Sequence, residues 1–318
     1  MLRASQVIDL TKLYCWYELL VSNCLSVNAI ASKLIEIGNM STPVDKTKTI
    51  AYLGPEGTFS QAAVLKQFGE NVDLNACTSI DDVFKAVETA AVDFGVVPVE
   101  NSTEGTINNT QDCLIGSSVR IVGEVIVPIE QNLMLHDAAD IVNIKTIASH
   151  SQSLAQCRNW LLNNWPGTTQ IECASNAAAA KLASNDKTIA AIAGVLAADI
   201  YKLKIAVPQI QDQAHNSTRF LVLANAQTNS SGADKTSVLI YTENKPGALF
   251  RVLEPFEELQ ISLTKIETRP SKKGVWEYVF FIDFEGHADD EIVKKLFVKL
   301  SNCTAEIKLL GSYPSATI

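Results

Sequence analysis

From residue 49 to residue 100 the chain alternates strand-like runs with helical ones, and that order leaves few folds open. Ile50, Ala51, Tyr52 and Leu53 read as a buried strand, Gly54 to Ser60 as a glycine turn, and 61–68 as a helix. A polar strand around 76–78 follows, then a helix over 79–90 with Ser79 as N-cap and Asp81 and Asp82 in its first turn, then a strand over 94–99. The alternation predicts a parallel, doubly wound α/β sheet. Ligands of such sheets lie beyond the carboxyl ends of the strands, where the run Glu100, Asn101, Ser102, Thr103, Glu104, Gly105 falls. A glycine turn that opens a helix presents backbone N–H groups to an anion, and Thr58 or Ser60 can cap that helix. The turn lacks both the Lys-Ser/Thr ending of a P-loop and the glycine spacing of a dinucleotide fingerprint. A plain structural turn stays open as its alternative, as does a solvated loop for 100–105.

A helix over 108–114 leads to apolar stretches at 119–127 and 129–135 that carry the chain into a second lobe. There a strand at 146–148 runs into Ser149, His150 and a helix. Gln152 and Gln156 share one face of that helix, while Leu154, Cys157 and Leu161 form its apolar stripe. His150 reads as a capping or hydrogen-bonded structural histidine rather than an acid or base. An alanine-rich helix at 176–183, then strand and helix across 190–203, precede the return through 207–213. The stretch His215, Asn216, Ser217, Thr218, Arg219, Phe220 then enters the apolar run 221–224. Arg219 offers a rigid fork of donors for a carboxylate, Thr218 a hydroxyl and Asn216 an amide, with a polar turn before an ordinary strand as the equal alternative.

Residues 225–234 are polar and contain Gly and Ser, the composition of a linker. Beyond them come strand 236–242, helix 247–259, strands 262–268 and 276–284, helix 289–300 and strand 305–313, a βαββαβ ferredoxin-like order. Such a sheet has helices on one face only, so it is expected to dimerise through an edge or its other face.

With 26 basic against 35 acidic residues and a formal charge of -9, the chain has no electrostatic footprint for nucleic acid or an anionic membrane. An anionic ligand therefore needs locally placed donors. Seven cysteines, without a close pair or metal-type spacing to the four histidines, point to reduced thiols in a cytosolic protein. Cys157 and Cys173 read as small core residues rather than nucleophiles. The apolar stretch 13–25 is interrupted by Glu18, Ser22 and Asn23, so neither an export signal nor a membrane span is expected. Met40 opens a polar lead into the first clear strand and is read as a candidate natural start, against a short helical extension packed on the domain.

Together these motifs resemble the prephenate dehydratase family over about residues 49–316. Gly54 to Ser60 looks like its first signature, Val97-Pro98-Val99-Glu100-Asn101-Ser102 its second, and Ser149-His150 with Gln156-Cys157 its third. Asn216, Thr218, Arg219 and Phe220 match the most diagnostic one. The C-terminal part is similar to an ACT regulatory domain, with Pro246-Gly247-Ala248-Leu249 in its first loop and Glu267-Thr268-Arg269-Pro270 close to the family's Glu-Ser-Arg-Pro. The departures are Ser151 in place of a usual proline, Asn176 in place of a frequent threonine, and Gly194-Val195 in place of a Ser/Glu pair. They leave substrate preference open.

The resemblance implies an α/β fold: a two-lobed catalytic domain like the type II periplasmic solute-binding proteins, and a ferredoxin-like βαββαβ ACT domain. It divides the chain into an extension at 1–47, a catalytic domain at 48–225 and an ACT domain at 235–316, the lobes being about 48–127 with 209–225, and 128–208. The implied reaction converts prephenate to phenylpyruvate with loss of carbon dioxide and water, in phenylalanine biosynthesis, with no metal or organic cofactor. By family analogy Thr218 donates a hydrogen bond or proton to the departing hydroxyl. Arg219 is either the carboxylate clamp or the support of the Thr218 loop. Asn101, Ser149 and Gln156 orient substrate, and Glu100 is acid or scaffold. Gly57, Thr58, Ser60, Ser102, Thr103, Asn216 and Phe220 are the implied substrate-binding set. Phenylalanine would bind as effector at Asn244, Pro246, Gly247, Ala248, Leu249, Glu267, Thr268, Arg269 and Pro270, in a cytoplasmic homodimer or homotetramer. Bifunctional relatives carry chorismate mutase ahead of this region. With only Arg3, Lys12, Lys33 and Lys46 there, the cations that a dicarboxylate site needs are largely missing, and no mutase activity is expected. The alternatives are an arogenate dehydratase and a non-catalytic phenylalanine sensor.

Overall fold

A computed structural model describes residues 47–243, 245–271 and 278–316. The readings made for 1–46, for Asn244 and for the strand start at 276 lie outside the described residues. Three strands of the first lobe form as the periodicity predicts: β1 (Thr49–Leu53), β2 (Asp73–Cys77) and β3 (Phe94–Asn101), with helices α1 (Phe59–Phe68) and α2 (Ile80–Glu88) between them. Ser79 caps α2, its hydroxyl accepting from the Asp82 N–H at 3.1 Å. The short β4 (Gly105–Thr106), helix α3 (Asn108–Gly116) and β5 (Arg120–Pro128) complete the outward passage.

The second lobe holds β6 (Asn132–His136), β7 (Thr146–His150), β8 (Thr169–Cys173), β9 (Ile189–Ala193) and β10 (Leu203–Val207). Its helices are α4 (Ser151–Gln156), α5 (Arg158–Asn164), α6 (Asn176–Asn185) and α7 (Val195–Tyr201). The helix expected after His150 breaks at Cys157 into α4 and α5, yet Leu154, Cys157 and Leu161 are all buried, so the apolar stripe holds through the break. The chain then recrosses to the first lobe as β11 (Ser217–Ala224), which inserts antiparallel between β3 and β5. The first sheet runs β2-β1-β3-β11-β5 and the second β10-β6-β9-β7-β8.

The C-terminal unit has the expected βαββαβ order: β12 (Asp234–Tyr241), α8 (Ala248–Glu258), β13 (Leu263–Pro270), β14 (Tyr278–Glu285), α9 (Glu291–Ser301) and β15 (Glu306–Pro314). Its sheet order is β13-β14-β12-β15, with every pairing antiparallel. One face, with Val238, Ile240, Phe280 and Ile282, packs on α8 and α9. The other face, with Leu239, Tyr241, Phe281 and Tyr313, shares a core with Val83, Phe84, Ile121, Leu221 and Leu223 of the first lobe. Of the two surfaces expected to meet a second copy, an edge or the helix-free face, the face is therefore covered by the same chain. No helix among the described residues is long and apolar enough to cross a membrane.

Candidate active site

Antiparallel pairing of β11 with β3 sets Thr218 opposite Asn101 and Arg219 opposite Glu100. Successive side chains of a strand point to opposite faces. The first pair therefore faces one side of the sheet and the second pair the other. Thr218 and Asn101 look into a cavity of about 470 Å3 between the lobes, with Phe220, Thr58, Ser60 and Gln156 also in its wall.

Hydrogen bonds fix the orientation of this pair. The Asn101 Oδ1 accepts from the backbone N–H of Thr103 and of Glu104, each at 3.0 Å, and from the Thr103 hydroxyl at 2.7 Å. Two backbone donors leave no choice about which end of the amide is the oxygen. Its Nδ2 therefore donates to Asn216 Oδ1 at 2.8 Å and to Thr218 Oγ1 at 2.9 Å. Thr218 is thus held as an acceptor from the sheet, and its own proton is left to point at whatever fills the cavity.

Neutral donors and helix ends line the rest of the wall. Thr58, which caps α1, and Ser175, which caps α6, both border the cavity, one from each lobe. In the second lobe the Gln131 Nε2 donates to Ser153 at 3.0 Å and to Gln156 at 3.3 Å, while the Asn176 Nδ2 donates to Gln131 Oε1 at 3.1 Å. Among the described residues of the wall there is no Lys, Arg, Asp or Glu, and His150 is its one titratable side chain. His150 is the N-cap residue of α4 but its side chain makes no capping hydrogen bond, so the capping half of the role expected for it does not hold. Gln131, Ser153, His150 and Asn176 are among the wall residues that sequence reasoning did not select for function. The signal for Asn176 was its place in the family pattern, where it stands for a frequent threonine.

Several expected site residues go elsewhere. The clamp reading of Arg219 is corrected: strand alternation sends its guanidinium to the far face, where Nε meets Glu124 at 2.6 Å, Nη1 meets Asp283 at 2.7 Å and Nη2 donates to the Tyr313 hydroxyl at 3.0 Å. Burial pushes the Arg219 pKa down, but Asp283, Tyr313 and Glu124 more than reverse this, and the group stays charged. Glu100 is likewise turned away from the cavity, to Lys265 at 2.9 Å, which leaves its acid reading without a geometric basis. Ser149 is fully buried and donates to the Ile192 carbonyl at 2.6 Å, tying β7 to β9 instead of facing the cavity. Gly57, at φ +84, adjoins Ala197 and Tyr201 of the second lobe, where a Cβ would sit 3.1 Å from the Tyr201 ring. The Ser102 hydroxyl accepts from the Ser217 N–H at 3.0 Å, so Ser102, Thr103 and Asn216 hold the loops under the Thr218–Asn101 pair. Cys157 is in the core as expected, and burial, with Asp212, pushes its thiol up to about 12.

In the C-terminal unit, Pro246 and Ala248 border a second cavity of about 660 Å3 with Lys245, Arg251 and Thr304. Gly247 precedes α8 at φ +77, and Leu249 is 37% exposed. Glu267 and Arg269 turn the other way, toward the first lobe. Glu267 accepts from the Thr106 hydroxyl at 2.9 Å, and Arg269 pairs with Asp112 at 2.7 Å and donates to Asn108. Thr268 and Pro270, which alternate with them along β13, are exposed. The two expected effector segments therefore do not line one cavity within a chain. No three His, Cys, Asp or Glu side chains gather as metal ligands among the described residues.

The prephenate dehydratase family model matches residues 50–228 and the ACT domain model residues 236–302. A bifunctional chorismate mutase/prephenate dehydratase of Pseudomonas aeruginosa is 45% identical over 289 residues, which cover 91% of this chain and 79% of that protein. A prephenate dehydratase of Methanocaldococcus jannaschii is 37% identical over 84% of this chain and 98% of its own length. Among solved structures, the prephenate dehydratase of Arthrobacter aurescens in complex with L-Phe superimposes with a TM-score of 0.77 at 32% identity, covering 84% of this chain and 90% of that one.

Proposed function

This chain belongs to the prephenate dehydratase family, and from that premise we propose that it converts prephenate to phenylpyruvate, carbon dioxide and water, with L-phenylalanine as effector. The observation that carries the reading is the oriented Thr218 hydroxyl, with its lone pair engaged by Asn101 and its proton free. In the reaction the bond between ring and carboxylate breaks, its electron pair enters the ring, and the ring C–O bond breaks with oxygen keeping its pair, leaving as hydroxide that takes its proton from solvent to become water. Aromatisation supplies the driving force, so the protein has mainly to hold the substrate and ease the departure of oxygen. A threonine hydroxyl is too weak an acid to surrender its proton at neutral pH; a preorganised hydrogen bond to the leaving oxygen is the role that fits it. The substrate's two carboxylates meet the N-terminal ends of α1 and α6 in place of the missing arginine, since helix N-termini favour anions.

Prephenate is preferred over arogenate in this reading, because arogenate carries an ammonium group and no described acidic side chain lines the cavity to pair with it. We place the protein in the cytoplasm as a homo-oligomer. Five free described cysteines support the first, and the exposed Leu249 and Phe250 at the end of the 246–249 segment support the second. The test is an assay of the full chain on prephenate and on arogenate, with and without phenylalanine. Phenylpyruvate release that outpaces turnover of arogenate and responds to phenylalanine is expected; no phenylpyruvate would overturn the assignment.

A further inference from the structure

Thr218 and Asn101 are adjacent in sequence to Arg219 and Glu100, and the same cross-strand register that pairs the first two on the cavity side pairs the second two on the opposite side. That opposite side is where the ACT sheet sits. Glu100 is held by Lys265 of β13 at 2.9 Å, and Arg219 by Asp283 of β14 at 2.7 Å and the Tyr313 hydroxyl of β15 at 3.0 Å. The contacts continue along the edge strand: Glu267 takes the Thr106 hydroxyl and Arg269 takes Asp112, so alternate residues 265, 267 and 269 grip positions 100, 106 and 112, on either side of Asn101. Ser237 adds a hydroxyl to Asp283 at 2.5 Å and another contact to Tyr313 at 2.6 Å, which fixes the ACT side of the network. Arg219 and Asp283 have side chains only 13% and 11% exposed, so their geometry is set by the protein and not by solvent.

We propose that Arg219 and Glu100 are positioning residues for the Thr218–Asn101 pair, and that Asp283 and Lys265 of the ACT domain are the other half of this device. The catalytic pair is complete in the cavity but aligned from behind, through one thickness of sheet. A shift of the ACT sheet against the first lobe then acts on the two residues flanking the reacting centre before it acts on anything else. The inference rests on the proposed dehydratase reaction for its kinetic readout. Its structural readout does not.

The test uses Lys265→Met and Asp283→Asn in the full chain, two variants whose side chains never touch the cavity. kcat on prephenate is expected to fall on the order of three- to thirtyfold, the span of a coupling of this kind, with KM little changed. Exchanging the charges with Glu100→Lys and Lys265→Glu together should recover part of the loss that either one causes alone. Hydrogen exchange should rise in peptides covering 100–106 and 216–219 in both single variants, whether or not the protein turns over prephenate. Wild-type exchange in those peptides would overturn the proposal, as would a kcat loss that merely follows the fraction of unfolded protein. Inactivity of the wild-type chain on prephenate, with altered exchange in the variants, would instead overturn the assigned reaction and leave the positioning intact.

Discussion

Replacing Thr218 by valine keeps the β-branched shape in a strand while removing the one hydroxyl that Asn101 orients into the cavity. The fold should persist, since Thr218 makes its side-chain bond only within the site, and kcat should drop about a hundred- to a thousandfold, the cost of losing one preorganised donor. Thr218→Ser keeps the hydroxyl and should retain far more turnover, as steady-state kinetics on prephenate would show. Asn101→Asp is the sharper probe. The amide oxygen must stay toward Thr103 and Glu104, so the introduced second oxygen would face Thr218 as an acceptor and draw its proton back into the sheet. That variant should lose as much kcat as Thr218→Val, and combining the two should cost little more than either, because they break one bond. At this scale the place of Thr218 and Asn101 in one cleft wall was legible from residue type and motif. The destination of Arg219 was not, for a strand buried on both faces offers no polar alternation to say which side chain meets the cavity.

Two helices bring their N-termini to the cavity, and each is capped by a side chain that also borders it. The Ser175 hydroxyl accepts from the Ala178 N–H at 3.0 Å, so Ser175→Ala should cost about 1 kcal/mol of stability and also weaken substrate binding. Ser175→Asp separates the two effects: aspartate caps as well as serine, so the melting temperature should hold, but its charge repels a dianion and KM should rise further than in Ser175→Ala. Parallel thermal melts and KM measurements check this, and equal KM values in the two variants would remove α6 from anion binding. Most elements around these caps were readable, because periodicity, Ser79 and the glycine turn mark their limits. The break between α4 and α5 at Cys157 was not, since the apolar spacing of Leu154, Cys157 and Leu161 runs through it unchanged. Nor was the wall of Gln131, Ser153 and Asn176, whose members are 22 to 45 residues apart and meet only in the folded lobe.

Docking of the ACT sheet on the first lobe joins the two functional ends of the molecule. A signal for it was present in sequence: β12 and β14 are apolar at consecutive positions, as in Val238 to Tyr241 and Val279 to Ile282, so both their faces need cover. What periodicity cannot say is whether the second cover is another copy or the same chain. Here Gly311 lies so close to the Ile121 carbonyl that a Cβ has no room, and Lys308 donates to the Leu114 and Ile115 carbonyls at 2.9 and 3.0 Å. At the centre of the joint is Glu124, bonded to Arg219 at 2.6 Å, Lys235 at 2.8 Å and the Ala316 N–H at 3.0 Å. Burial pushes its carboxyl up, but Arg219, Lys235 and the Ala316 N–H outweigh that and hold it below the usual glutamate value. A carboxyl with a depressed folded-state pKa contributes stability that is fully present above its unfolded pKa and is lost as pH falls through the folded one. The joint should therefore weaken below about pH 4, with a slope from this group of up to about 1.4 kcal/mol per pH unit. Glu124→Gln leaves Lys235 without its carboxylate and Arg219 with Asp283 as its remaining carboxylate, so it should cost about 3 kcal/mol at neutral pH. It should also flatten the acid limb of the stability curve, because the titrating group is gone. Denaturant unfolding from pH 3 to pH 7 on both proteins measures this, and an acid limb equally steep in the variant would show that Glu124 does not hold the joint through its charge.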